Sequence, residues 1–294
     1  MGNRTVSELP NEILFCIFSY LKMYDLKYNI PGVCKQWETL SKDRRLWKKL
    51  TYETTSEVTK TFGAKSWDST LKFLETTPQL QNVVISQGHS ESEILELLNA
   101  LNNFCWNLHQ IELDMTPTVA KHFATLSRLR EKIESLRLRL VPERSHKEVF
   151  KALAKFPRLR KVTFVGANPQ HRDFQSFLSN CPHLEHLNLS NDEFCKTNFI
   201  MLLNKKERFH SLFLRTDNLD RYCISELSHF PKLIKLKLAD NNASPGKLIE
   251  IGNLACLESL ALREDASSPV LTSFCPDRFS QLRKLLPPHG DEAS

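Results

Sequence analysis

One short apolar array recurs through this chain at a nearly constant interval, and that interval restricts the fold more than any other feature. The clearest copy lies at 182–191, PHLEHLNLSN, where Leu184, Leu187 and Leu189 stand as L-x-x-L-x-L. The first apolar positions of successive copies are Trp47, Leu80, Leu108, Ile133, Leu159, Leu184, Phe209, Leu233, Leu257 and Leu282. The steps between them are 33, 28, 25, 26, 25, 25, 24, 24 and 25 residues. A lone array means little in a Leu-rich chain, but eight nearly regular steps after Leu80 mark a true repeat. One such unit cannot bury its own leucines, so neighbours must stack into a continuous core. The expected architecture is α/β: a curved solenoid with parallel strands on the concave side and helices on the convex side.

The sequence between the arrays fits that plan. Helical returns are expected at 91–103, 147–155, 173–180, 198–204 and 221–228. Phe156-Pro157, Cys181-Pro182 and Phe230-Pro231 follow three of them. The residue before proline is pushed out of helical geometry, so each pair ends a helix and admits the next strand. Period and array together resemble leucine-rich repeats. The eighth position past each first apolar residue is polar late in the chain (Asp192, Asp217, Asn241, Asp265), as that family requires, and degenerate earlier (Gly88, Thr116, Val141, Ala167). The first unit, 51–79, is long. Its polar half, 51–66, reads as loop before a helix over 67–75. The last copy, 281–286, runs into Pro287-Pro288 without a helical return. Three segments follow: a module at 1–50, about nine repeats over 51–286 with the first and last atypical, and a tail at 287–294.

The first fifty residues differ in pattern. Pro10 suits the first position of a helix, where its missing N–H would be unpaired anyway. Glu12 sits in the first turn, favoured by the helix dipole. Ile13, Leu14, Ile17, Phe18 and Leu21 form one wide apolar stripe at helical spacing. A short second helix is expected over 26–30, ended by Pro31-Gly32, and a third over 33–40. Three short helices make a poor independent core, so the stripe is expected to bury one side against the repeats or a partner.

Leu9-Pro10-x-Glu12-Ile13-Leu14-x-x-Ile17-Phe18, then Val33-Cys34-Lys35-x-Trp37-x-x-Leu40, then Leu46-Trp47, resembles an F-box. Asn180-Cys181-Pro182-x-Leu184 is similar to the cysteine-containing repeats of F-box proteins with leucine-rich repeats. That family implies a non-catalytic substrate receptor of an SCF-type ubiquitin ligase. Its F-box docks on a Skp-type adaptor and, through it, a cullin. The repeats select the protein to be ubiquitinated. Carried over by motif, the adaptor contacts are Leu9, Pro10, Ile13, Leu14, Ile17, Val33, Cys34 and Trp37. The competing expectation is an interaction scaffold in which the F-box-like segment is a structural cap that recruits no ligase.

Strand side chains alternate, so residues between the core leucines share the concave face. Those positions carry seven Lys or Arg and two acids, Glu112 and Asp114, although residues 51–294 hold 31 basic against 29 acidic side chains. This enrichment points to an acidic or phosphorylated protein segment as the ligand. Arg137, Arg139, Lys161, Arg215, Lys235 and Lys237 are the expected contacts, with Phe213 as an aromatic anchor.

Other functions find little support. No P-loop, G-x-S-x-G or H-E-x-x-H is present, and eight glycines leave few phosphate-cradling turns, so no enzyme activity and no cofactor are expected. Cys181, His183 and His186 lie close in sequence, but no fourth ligand and no C-x-x-C accompany them, so no metal is expected. No apolar run approaches membrane-spanning length and no export signal is apparent, which points to cytoplasm or nucleus, with thiol cysteines. A net charge of +6, of which +4 lies in the first fifty residues, is too mild to argue for nucleic acid.

Overall fold

Among the described residues, ten strands lie in one sheet in the order in which the chain makes them. The computed structural model describes residues 9–21, 25–47, 51–54, 71–72, 74–85, 87–141, 146–166, 171–189, 194–215, 219, 221–239, 254, 256–263 and 284–286. The chain divides into two compact units, Met1–Glu112 and Leu113–Ser294.

The first unit opens with α1 (Asn11–Phe18). An irregular π-type turn (Asp25–Asn29) and a 3-10 turn (Ile30–Gly32) follow, then α2 (Lys35–Ser41) and α3 (Arg44–Trp47). The expected second helix is therefore wound irregularly. Pro31 falls inside the 3-10 turn, where its missing N–H leaves a regular helix one bond short. The third helix starts two residues later than expected, with Cys34 extended at its N-cap (φ −164°, ψ 169°). Strand β1 (Thr51–Thr54) pairs in parallel with β2 (Asn82–Ile85). The loop expected from residue 51 is thus corrected at its start: threonine and tyrosine suit a strand when a neighbour supplies the ladder. Residues 55–70, which hold most of that loop and the start of the helix expected over 67–75, lie outside the described residues.

Helix α4 (Glu91–Phe104) returns from β2. Its start is a capping box: Ser90 Oγ accepts from the Glu93 N–H (3.3 Å), and the Glu93 carboxylate accepts from the Ser90 N–H (2.7 Å). The Ser90 N–H, and the Ser90 hydroxyl donating to the same carboxylate (2.8 Å), hold the Glu93 carboxyl below its ordinary value.

Strand β3 (Gln110–Met115) carries the chain into the second unit. There follow α5 (Pro117–Phe123), α6 (Ser127–Lys132), β4 (Ser135–Leu140), α7 (Lys147–Leu153) and β5 (Lys161–Val165). Next come α8 (His171–Asn180), β6 (His186–Leu189), α9 (Lys196–Leu203), β7 (Ser211–Arg215) and α10 (Arg221–Glu226). Strands β8 (Lys235–Ala239), β9 (Ser259–Arg263) and β10 (Lys284–Leu286) complete the sheet. The first apolar position of every copy from Leu80 to Leu257 is at most 1% exposed, so the sequence period is the core period. Leu282 and the polar eighth positions from Asp192 to Asp265 lie outside the described residues.

Phenylalanine fills the space between strands and helices in the second unit. Phe150 meets Phe164, Phe174 and Phe177 with ring centroids 5.3, 6.1 and 5.7 Å apart, and Phe174 meets Phe194 at 6.2 Å. Such pairs add about 0.5–1.5 kcal/mol each beyond the area they bury.

Register is locked by a repeated backbone device. Arg160 and Lys161 N–H both donate to the Glu134 carbonyl (2.8 and 2.9 Å). Glu185 and His186 donate in the same way to Arg160, His210 and Ser211 to Glu185, and Ile234 and Lys235 to His210. One carbonyl has two lone pairs and can accept both bonds. Strand starts are thereby held level, and side chains one repeat apart fall into rows. Gly166 closes β5 at φ +81°, and a Cβ there would stand 3.1 Å from the Leu140 carbonyl oxygen.

Candidate functional site

The wide stripe of α1 divides into two adjacent i, i+4 rows. Leu14 and Phe18 turn inward and are at most 1% exposed. Ile13 and Ile17, one residue earlier in each turn, stay 49% and 42% exposed. Pro10 is exposed at the N-cap, one residue before the expected helical position, where its carbonyl accepts the first helical bonds from Ile13 and Leu14 (both 3.1 Å). Helix α2 packs on α1. Phe18 meets Trp37 edge to face at 5.2 Å, and Gln36 Nε2 donates to Asn11 Oδ1 at 2.9 Å. Val33, just before α2, is 57% exposed. Leu9, Cys34 and Trp37 are half-buried. The Trp37 indole N–H is buried with no hydrogen-bond partner. Of the eight expected adaptor contacts, Pro10, Ile13, Ile17 and Val33 thus face outward, while Leu14 belongs to the interior.

The second surface is the strand face of the second unit. Register aligns Lys161, His186, Ser211, Lys235 and Ser259 in one row. Thr163, Asn188, Phe213, Lys237 and Ala261 form the next. Lys161, Lys235 and Arg137 are exposed, and Arg139, Phe213, Arg215 and Lys237 are half-buried. Thr163 and Ala261 are buried although they stand on this face, because short side chains are overshadowed by longer row neighbours such as Arg137 and Lys237.

Charge is unevenly compensated here. Arg139 Nε donates to Asp114 Oδ1 at 2.6 Å, one repeat away. The Lys237 ammonium lies over the Phe213 ring, 4.7 Å from its centroid, a cation–π contact. Burial holds His186 below its ordinary imidazole value. Glu185 opposes that shift, and Lys161, His210 and Lys235 reinforce it. Glu185 is itself paired with Arg160 at 3.1 Å. Among the described residues, no group of three His, Cys, Asp or Glu is placed to hold a metal ion, and no helix is long and apolar enough to cross a membrane.

Residues 6–53 match the F-box-like family model. The comparison with curated proteins finds no match. Among solved structures, the chain is similar to a TLR13–ssRNA13 complex at 17% identity and a TM-score of 0.43, covering 84% of this chain and 33% of that one. It is also similar to a yeast Rad7–Elc1 complex at 12% identity and a TM-score of 0.40, covering 94% and 92%. This chain spans a third of the length of the TLR13 chain.

Two aromatic residues of the F-box-like module are exposed but were not among the expected adaptor contacts. Tyr20 is 85% exposed and Tyr28 51% exposed. Tyr20 lies three residues beyond Ile17 and extends the outer row by one turn. Two basic residues of the module are paired locally. Arg45 pairs with Asp43 (2.8 Å) and stacks over Phe15 (4.3 Å), and Lys42 pairs with Glu38 (2.7 Å). Lys27, whose ammonium burial holds below its ordinary value, donates to Thr76 Oγ1 at 2.8 Å and so ties the module to the first repeat.

Proposed function

We propose that this chain is a non-catalytic substrate receptor of an SCF-type ubiquitin ligase, working in the cytoplasm or nucleus. The F-box-like module docks on a Skp-type adaptor and through it on a cullin. The repeats hold a protein substrate within reach of the ubiquitin-conjugating enzyme, which raises its effective concentration there. One observation carries this reading. In the segment that matches the F-box-like family, half of an apolar helix stripe, Ile13 and Ile17, is left at the surface beside exposed Pro10. Full burial of such a side chain contributes about 1.5–3 kcal/mol, so covering these half-exposed ones contributes on the order of 1 kcal/mol each. Leu14, Cys34 and Trp37 serve that surface from beneath or at its edge.

The test is co-purification of the full chain with a Skp-type adaptor, wild type against Ile13→Asp/Val33→Asp. Both positions are exposed, so the variant should melt with the wild type. Capture by the wild type and its loss in the variant supports the receptor. A well-folded wild type that captures no adaptor refutes it and makes the module a structural cap on a scaffold.

A further inference from the structure

We propose that the strand face of β5–β8 holds an extended, carboxylate-rich peptide segment, with Lys161, Lys235 and Lys237 as the charged contacts; this names the ligand class of the receptor and rests on that reading for its cellular role. The argument begins with charge. On the β3–β4 side, Asp114 cancels Arg139. On β5–β8 the face positions carry Lys161, Arg215, Lys235 and Lys237 and no carboxylate. Among the described residues, Lys161, Lys235 and Lys237 have no acidic partner in an ion pair. Three uncompensated ammonium groups on one face repel one another and favour an anionic ligand.

Spacing then selects among anions. Lys161 and Lys235 share a row three strands apart, roughly 14 Å at the usual inter-strand distance. Side chains on one side of an extended peptide recur about every 7 Å, so acids at positions i and i+4 span the same distance. Lys237 stands two residues further along the same strand, about 7 Å to one side of that line and within reach of the peptide's end. A single phosphate calls instead for converging donors, above all an arginine fork. Among the described residues, Arg139 is held by Asp114, and Arg137 and Arg215 each have an interaction within the chain. Single-stranded nucleic acid calls for open aromatic platforms, and Phe213 already lies under the Lys237 ammonium. That contact also preorganises Lys237, which lowers the entropy cost of pairing it.

The experiment titrates the full chain into fluorescein-labelled probes at low salt. The probes are a twelve-residue peptide with Glu at alternate positions, its Glu→Gln counterpart, a neutral peptide with one phosphoserine, and a single-stranded oligoribonucleotide. The Glu peptide should bind most tightly and the Gln peptide at least tenfold more weakly. Lys161→Ala/Lys235→Ala/Lys237→Ala should weaken Glu-peptide binding by about tenfold or more, on the order of threefold per lysine. It should keep the wild-type melting temperature, as should Lys121→Ala, a control on the exposed side of α5. Equal binding of the Glu and Gln peptides, an unchanged triple variant, or tighter binding of the phosphopeptide or the RNA would each overturn the proposal. Adaptor capture is measured on the same samples. Capture without Glu-peptide binding removes this inference and keeps the receptor, while Glu-peptide binding without capture does the reverse.

Discussion

The outer row of α1 and the strand face of β5–β8 are built on opposite principles. On α1, aliphatic side chains that a core would accept stay at the surface: Ile13 and Ile17 are 49% and 42% exposed while their neighbours Leu14 and Phe18 are buried. On β5–β8 the array leucines, valine and phenylalanine are buried, and the face carries Lys161, Lys235 and half-buried Lys237 beside one exposed aliphatic, Val165 (38%). The first surface gains by excluding water, which needs contact and shape. The second acts through charge, which works at a distance and is screened within about 8 Å at physiological salt.

The strongest way to separate the two surfaces is to loosen the core under one of them. Phe177 is fully buried against Phe150, Phe164 and Phe174, with centroids 5.7, 5.9 and 6.3 Å away. Phe177→Ala should destabilise the second unit by about 3–5 kcal/mol, read by urea unfolding. It should also abolish Glu-peptide binding, which Ile13→Asp leaves intact. A cost under about 1 kcal/mol would show that this ring cluster does not carry the fold beneath the charged face.

Salt gives the next largest contrast. Raising sodium chloride from about 0.05 M to about 0.5 M should weaken Glu-peptide binding by roughly tenfold, because exposed charge pairs are screened. Adaptor capture should change by less than about threefold. Equal salt sensitivity of the two would erase the distinction.

Cysteine reactivity offers the finest test. Burial pushes the Cys105 and Cys181 thiols up to about 12, so almost none of either is thiolate at neutral pH. Their Sγ atoms lie 3.8 and 3.5 Å from the Leu74 and Leu153 carbonyl oxygens. Cys16 is exposed on α1 beside Ile17. Iodoacetamide at pH 7.5, followed by mass spectrometry, should modify Cys16 and spare Cys105 and Cys181. Bound adaptor should then protect Cys16. Equal modification of Cys16 and Cys181 would contradict the burial on which the comparison rests.

Much of this was legible in advance because a solenoid is nearly one-dimensional. The interval between Leu80 and Leu257 is a local property, and each position it marks is buried. Helix α4 falls where a return was expected over 91–103, and Ser90 and Glu93, three residues apart, form its capping box. Helices α5 and α6 were missed, although Thr116-Pro117 is a helix-start signal: Thr116 Oγ1 accepts from the Val119 N–H at 3.2 Å. That return is split in two, so neither half shows a long apolar period.

What the amino-acid order determined alone is the spacing: strand, return, strand, with a branched or aromatic side chain at each array position and alternation along each strand. These follow from the geometry of a few neighbouring residues. Which half of an apolar stripe stays outside, and which charges on a face are cancelled, were decided only in three dimensions. Ile13 and Leu14 are adjacent aliphatic isomers, yet the fold buries one and leaves the other 49% exposed. Asp114 and Arg139 are 25 residues apart and pair because stacking sets consecutive strands side by side. Burial and pairing depend on what lies across the interface, and that neighbour comes from a distant part of the chain.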